Sequence, residues 1–507
     1  MKVLLVNPVF PDTYWSFRHA LVLWNKRSAF PPLGLLTVAA MLPKSWRRRL
    51  VDLNVKPLTR ADIAWADIVF VSAMIVQQAS LQQVVRRCRA LGKRVVVGGP
   101  FTSTGARQLA EADHVFIGEV ENTFPEFLRD LDTGAPKRTY QSAEKPDLTA
   151  TPIPEFHLAD FPQYLAMPVQ FSRGCPFRCE FCDIIEIYGR VPRTKTNEQM
   201  LAELDALYHA GWRGLVFIVD DNFIGNKRNV KSFLPHLADW SKRHGRPFSF
   251  LTEASLNLAD DDELLSMMKD AGLRRVFIGI ETPVEQSLKE AQKGQNTRRD
   301  MLAGVHKIQS YGMEVMAGFI LGFDSDPPDI FDRQIDFIRA AAIPQAMVGL
   351  LQALPETQLA RRLQREGRLL DDATGNNTDG SLNFVPRMDV GDLVAGYRYV
   401  LRTIYSPTEY YDRVLDSLGR LNQDVPEPPN DNIFRNLISL GRTIFKLGIQ
   451  DRARGDFWRL LRLTLVRHPQ RLPEAIVLAG LGHHFRTITE KLLQAAPQRE
   501  VAPRIAA

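Results

Sequence analysis

Cys175-Pro-Phe-Arg-Cys179-Glu-Phe-Cys182 gathers three of the chain's four cysteines within eight positions. Thiolates spaced C-x3-C-x2-C converge from one short loop. Three of them can hold three irons of a [4Fe–4S] cube and leave the fourth iron without a protein ligand. An iron with an open position is a reaction site. A structural zinc site normally takes four ligands, and the segment from Phe171 to Arg193 holds no fourth Cys and no His. An electron-transfer ferredoxin site is disfavoured on the same ground. The remaining cysteine, Cys88, lies in a helical pattern starting at Leu81 and reads as a small buried apolar residue.

The elements that position this loop can be read from hydrophobic periodicity. Short β-branched runs alternate with helical patterns over residues 1–140, which predicts a Rossmann-like, doubly wound parallel sheet. Its expected strands are Val3 to Val6, Arg49 to Leu53, Ile68 to Ser72, Arg94 to Gly98 and His114 to Gly118. Ligands of such sheets sit beyond the carboxyl ends of the strands. The candidate binding rim is therefore Asn7, Asp52, Asn54, Ser72, Met74, Gly98, Gly99, Pro100, Gly118 and Glu119. No G-x-G-x-x-G follows the first strand, so a dinucleotide is disfavoured. Residues 141–165 are rich in Pro, Asp and Thr and read as a linker.

A second βα series occupies residues 166–370. Its strands are expected at Val169 to Ser172, Leu215 to Asp220, Phe248 to Ala254, Val276 to Glu281, Val315 to Leu321 and Ala346 to Leu351. Six units are too few to close an eight-stranded barrel, so a partial (β/α)6 barrel with an open side is implied. The cysteine loop follows its first strand. Glu253 and Glu281 end the third and fourth strands, where a carboxylate aimed at the barrel mouth can accept from ribose hydroxyls or an ammonium; a structural ion pair with a neighbouring Arg is the competing reading. Residues 371–507 are helical by periodicity.

Composition bounds the class. With 507 residues, 45% hydrophobic and 24% charged, the chain reads as a multidomain globular protein, and disorder is excluded. The longest apolar stretch, Phe30 to Leu42, is interrupted by Pro31, Pro32 and Gly34 and is shorter than the roughly 20 residues that span a bilayer. A cytoplasmic protein without a transmembrane helix is expected. The formal charge of +6 is concentrated from Asp431 to Ala507, which carries 13 Lys and Arg against 6 Asp and Glu. The rest of the chain is nearly neutral, so nucleic-acid binding is not expected. The basic tail, with Leu460, Leu461, Leu463 and Leu465 beside Arg459, Arg462 and Arg467, suits either peripheral membrane contact or an ordinary helical cap.

C-x3-C-x-Phe-C in a partial barrel resembles the radical S-adenosylmethionine (SAM) superfamily. The resemblance implies a [4Fe–4S] cluster on Cys175, Cys179 and Cys182. It also implies SAM on the open iron, Phe181 beside the adenine, and Asp221 and Asn222 near the SAM amino group, with Glu253 and Glu281 as further SAM contacts. The doubly wound domain before the barrel is similar to cobalamin-binding radical SAM enzymes. The segments Phe171 to Asp183, Val219 to Asn226 and Leu350 to Pro355 look most like the branch that includes hopanoid C-2 methylases. The D-x-H-x-x-G motif is absent, with Asp52-Leu-Asn54 in its place, so cobalamin is expected to bind without a histidine lower ligand. The resemblance implies C-methylation of an unactivated carbon in an apolar lipid or tetrapyrrole-like substrate, with SAM as both methyl source and radical source. An external electron donor such as flavodoxin or ferredoxin is implied as well. The alternative is radical oxidation or cyclisation without methyl transfer. Methylthio transfer to RNA would need a second cysteine-ligated cluster, and the N-terminal region offers only Cys88.

Overall fold

The computed structural model describes residues 1–105, 109, 111–376, 378–421 and 433–494. Strands β1 (Lys2–Asn7), β2 (Arg47–Asp52), β3 (Ile68–Ser72), β4 (Arg94–Gly98), β5 (His114–Ile117) and β6 (Thr139–Gln141) form one parallel sheet in the order β2-β1-β3-β4-β5-β6. Its central strands are continuous apolar runs because helices cover both faces. Val3, Leu5, Phe70 and Val96 pack with Leu36 and Phe124 on one side. The alternate residues Leu4, Val6, Val69 and Val97 pack with Leu81, Val85 and Cys88 on the other. The chain leaves β1 for β2 and returns to β3 on the opposite side, which opens a crevice at the carboxyl ends of β1 and β3. The short, polar β6 was not foreseen; only its Tyr140 is buried.

The second sheet contains β7 (Ala166–Val169), followed by a two-stranded ribbon of β8 (Ser172–Arg173) and β9 (Arg193–Thr194) that stands apart from it. The sheet continues through β10 (Gly214–Ile218), β11 (Phe248–Ala254), β12 (Leu273–Glu281), β13 (Glu314–Leu321) and β14 (Ala346–Leu350). Its order is β14-β13-β12-β11-β10-β7, so β7 and β14 remain edges and the barrel is open. The first barrel strand lies three residues earlier than expected. Pro168 is tolerated inside it because an edge strand leaves one side of its backbone unpaired. Ser172 has already left the sheet to pair with Thr194.

Residues 141–165 are docked rather than extended between the sheets. Tyr164 donates its hydroxyl to Asp52 (3.1 Å), and Gln199 donates its side-chain amide to the Leu148 and Thr149 carbonyls. Beyond the barrel come helices Gln358–Arg365, Val390–Ile404, Pro407–Arg420 and Ile433–Thr443, a π-helical segment Ile444–Gln450, and helices Arg454–Arg467 and Leu472–Gln494. The last helix returns to the N-terminal segment, where His484 donates to the Thr13 carbonyl (3.1 Å) and Phe485 packs edge-on against Tyr14. Tyr14, Phe17, Tyr405, Tyr410 and Tyr411 are buried in this packing. Tyr410 donates to the Leu478 carbonyl (2.7 Å). No described helix is long and apolar enough to cross a membrane.

Candidate active site

The cysteine loop is tied at its base and along its length. At the base, β8 and β9 pair in antiparallel fashion, with Arg173 opposite Arg193, and bring the two ends of the loop together. Gly174, at φ +99°, starts the loop, and a Cβ there would lie 2.9 Å from the Gly189 carbonyl oxygen. We expect Gly174→Ala to introduce about 1–3 kcal/mol of local strain. Iron bound per chain after reconstitution should fall while far-UV circular dichroism stays unchanged. Asp220, two residues beyond β10, accepts from the Phe171 amide (2.8 Å) and the Ser172 hydroxyl (2.6 Å) and so anchors the approach to the loop. On the other flank Glu180 accepts from Arg362.

The thiols receive amide donors. Asn222 points its side-chain N–H at Cys175 Sγ (3.8 Å), and Gln295 points its own at Cys179 Sγ (3.6 Å). Burial pushes the Cys175 and Cys182 thiols up, so iron binding must release protons from them. Burial works against the Lys293 charge, but Glu281 beside it and then the cysteines hold its pKa above the ordinary lysine value. Among the described residues no three His, Cys, Asp or Glu side chains converge as ligands of one metal ion. Three thiols on one loop, two of them with side-chain amide donors, suit a cluster that spreads its contacts over several irons.

The predicted SAM residues divide into two groups. Asn222 and Glu281 are engaged by protein. Asn222 also accepts from the Ser255 amide (3.2 Å), and Glu281, in the left-handed region at φ +67°, is paired with Lys293 rather than with an Arg. Asp221 and Glu253 are open to a ligand. Asp221 Oδ2 is buried without a hydrogen-bond partner, an acceptor that an ammonium group would satisfy. Burial, reinforced by Asp220 and Asp183, pushes Asp221 up to about 7. Burial, reinforced by Asp221 and Asp220, pushes Glu253 up to about 8. Phe181 lines the same cavity as Glu253 and packs against Phe323.

A pH dependence follows from these shifts. A carboxyl group whose pKa is raised by folding favours the folded state when protonated, and that contribution disappears as pH rises through its folded pKa. We expect Glu253→Gln to leave the melting temperature of the ligand-free protein unchanged near pH 5 and to raise it above pH 8. Differential scanning fluorimetry across that range checks the sign.

Two cavities meet between the sheets. The first, about 410 Å³, lies at the carboxyl ends of the N-terminal strands, and Asn7, Ser72, Met74, Gly98, Gly99, Pro100, Gly118 and Glu119 line it. The second, about 570 Å³, is walled by Phe10, Trp15, Phe30 and Phe217 and reaches Phe181 and Glu253. Asn7, Met74 and Gln77 line both, and Asp221 lines the first. Hydroxyl groups and glycine backbone at the strand ends, facing apolar Leu33 and Val38, suit a large flat ligand with an amide-bearing edge. None of the ten histidines lines either cavity.

Three predicted rim residues are occupied by protein contacts. Asp52 does not line the first cavity; it accepts from Asn7, Asn54 and Tyr164. Asn54 accepts from the Phe10 amide (2.7 Å) and borders the second cavity. Glu119 bridges Arg173 and Arg193, joining the first sheet to the cysteine ribbon. Gly99, at φ +98°, is required by protein packing, because a Cβ there would meet Ser72 Oγ at 2.5 Å. Sequence reading missed Gln77, Asp220, Lys293 and Gln295. Gln77 is buried, donates to the Pro8 carbonyl (2.7 Å) and stands where the cavities meet.

Family models match as a B12 binding domain over residues 22–128, the radical SAM superfamily over 169–338 and a domain of unknown function, DUF4070, over 357–498. The chain is 37% identical to the hopanoid C-2 methylase of Rhodopseudomonas palustris, over 96% of this chain and 93% of that protein. The chain belongs to the cobalamin-dependent radical SAM methyltransferase family. It is also 43% identical to an uncharacterized methyltransferase of Synechocystis sp., over 97% of this chain and 93% of that protein. The fold is similar to that of the cobalamin-dependent radical SAM enzyme OxsB with aqua-cobalamin and SAM bound, at a TM-score of 0.61 and 16% identity, over 97% of this chain and 80% of that one. It is likewise similar to the radical SAM methyltransferase TsrM from Kitasatospora setae with cobalamin and a [4Fe–4S] cluster bound, at a TM-score of 0.60 and 14% identity, over 97% and 100%. The radical SAM and B12 binding domains imply a [4Fe–4S] cluster, SAM and cobalamin, and the curated relatives place this chain among methyltransferases.

Proposed function

We propose that this methyltransferase adds a methyl group to an unactivated carbon of an apolar, polycyclic lipid held in the 570 Å³ cavity. The observation that carries this reading is the aromatic wall of Phe10, Trp15, Phe30 and Phe217, in a cavity that Phe181, Asn7, Met74 and Gln77 also line. A rigid apolar ring system gains most from such a wall, at about 25 cal/mol per Å² of apolar surface removed from water. The 37% identity to a hopanoid C-2 methylase supports the same substrate class.

Cys175, Cys179 and Cys182 would hold the [4Fe–4S] cluster, and Asn7, Ser72, Met74, Gly98, Gly99, Pro100 and Gly118 would border cobalamin in a cavity that no histidine lines. When bound, these groups supply reductive SAM cleavage and methyl transfer, chemistry that protein side chains lack. The chain's own residues hold and exclude. Asp221 accepts from the SAM ammonium and Glu253 from the ribose, while Asn222 and Gln295 orient the cysteine sulfurs. Glu281 acts through Lys293 rather than on SAM directly, and Asp52, Asn54 and Glu119 fix the rim. The aromatic wall keeps water from the reacting carbon.

In this reading residues 1–140, 166–370 and 371–507 form the cobalamin, radical and helical domains, with 141–165 joining the first two. The enzyme works in the cytoplasm, takes electrons from a carrier such as flavodoxin or ferredoxin and touches a membrane peripherally through its basic C-terminal region. Incubating the reduced, reconstituted enzyme with trideuteromethyl-SAM and a polycyclic triterpenoid tests the reaction. Mass spectrometry should find the label on a ring carbon. An unlabelled product with a new double bond or ring would replace methylation by radical oxidation or cyclisation.

A further inference from the structure

We infer that the helical pair Ile433–Thr443 and Arg454–Arg467, with the π-helical segment Ile444–Gln450 between them, is a docking surface for an anionic lipid bilayer. This rests on the lipid-substrate reading and adds the route by which such a substrate arrives. On the first helix and its π-helical continuation, Leu437, Ile438, Phe445 and Ile449 stand 54–57% exposed. On the second, Trp458, Leu465 and Val466 stand 47–76% exposed. The spacing places each set on one face of its helix. The faces are continuous at Trp458, whose indole packs on Gly448 and donates to its carbonyl (3.0 Å). Scattered exposed apolar residues are ordinary, but a joined group of this size marks an interaction surface.

Charge identifies the occupant. From Ile433 to Arg467 the sequence carries 8 Lys and Arg against 2 Asp and Glu. Both acids are engaged, Asp451 by Arg486 and Asp456 by the Thr408 hydroxyl. Arg454 and Arg462 flank Trp458 on its exposed face, the arrangement of a helix lying in the headgroup layer with its indole at the boundary. A second copy of this chain is disfavoured, because a self-complementary interface would set two such positive faces against each other.

Arg442 donates to Asn25 Oδ1 (3.0 Å), so the patch abuts the N-terminal segment that also carries Val22, itself 65% exposed. Arg18 and Arg27 on either side of this segment line the 570 Å³ cavity. An enzyme seated on this face would present the border of its apolar cavity to the bilayer from which a polycyclic lipid must come.

The test uses the full-length, anaerobically reconstituted protein in vesicle sedimentation. Phosphatidylcholine mixed with phosphatidylglycerol at about 7:3 should bind it, pure phosphatidylcholine should bind it far less, and salt should weaken binding. Phe445→Glu combined with Leu465→Glu should reduce binding at least about tenfold. Arg454→Glu combined with Arg462→Glu should abolish the preference for the anionic lipid. Both variants should retain formation of 5′-deoxyadenosine, which separates lost docking from misfolding. Failure of the unaltered protein to bind anionic vesicles would overturn the inference, as would a dimer in sedimentation velocity that Phe445→Glu dissociates. An enzyme that methylates dissolved lipid yet ignores vesicles contradicts the docking surface alone. One that binds vesicles yet labels no lipid contradicts the substrate reading alone.

Discussion

Cys179→Ala will eliminate reductive SAM cleavage, lowering 5′-deoxyadenosine formation by more than roughly 1,000-fold, because the cofactor carries chemistry that no side chain replaces. The residue is 8% exposed and takes an amide donor from Gln295, so water cannot readily stand in for its thiolate. Iron and sulfide per chain should fall with the activity. Cobalamin affinity should stay within a factor of about two, because none of the three cysteines lines the first cavity. Cys175→Ala and Cys182→Ala should behave alike. Anaerobic reconstitution followed by iron analysis, product chromatography and cobalamin titration reads all three effects on one sample.

The second large effect is structural. Glu119→Ala removes the carboxylate that joins Arg173 to Arg193, with Glu119 only 3% exposed and the two arginines 13% and 18% exposed. Breaking a buried ion pair from one side leaves charge without compensation, at a cost of about 3–5 kcal/mol. Arg173 retains Glu121, whereas Arg193 keeps the Pro146 and Tyr188 carbonyls. The first thermal transition should drop by several degrees. Iron content should drop too, because Arg173 and Arg193 form the ribbon that closes the cysteine loop. Glu119→Gln should restore part of both losses by keeping the hydrogen bonds without the charge.

Local chemistry made much of this architecture legible from sequence. Parallel strands buried on both faces appear as unbroken apolar runs, which is why β1, β3 and β4 were foreseen to within a residue. The cysteine spacing is equally local. What could not be read depends on distant partners. Asp52 stands where a ligand contact was expected, yet Tyr164, 112 residues away, claims one of its oxygens. Glu119 has the same history, with partners 54 and 74 residues away. Gln77 and Gln295 were overlooked because a glutamine within a helical or loop pattern carries no periodic signal. The edge position of β7 is likewise a property of the sheet, so Pro168 misplaced that strand by three residues.

The most direct test of the central claim, that two cofactor sites serve one substrate carbon, is a single-turnover experiment with trideuteromethyl-SAM on enzyme reconstituted with and without cobalamin. With cobalamin, one 5′-deoxyadenosine is expected for each labelled lipid; without it, no labelled lipid is expected. Labelled product formed without cobalamin, or without 5′-deoxyadenosine, would contradict that claim.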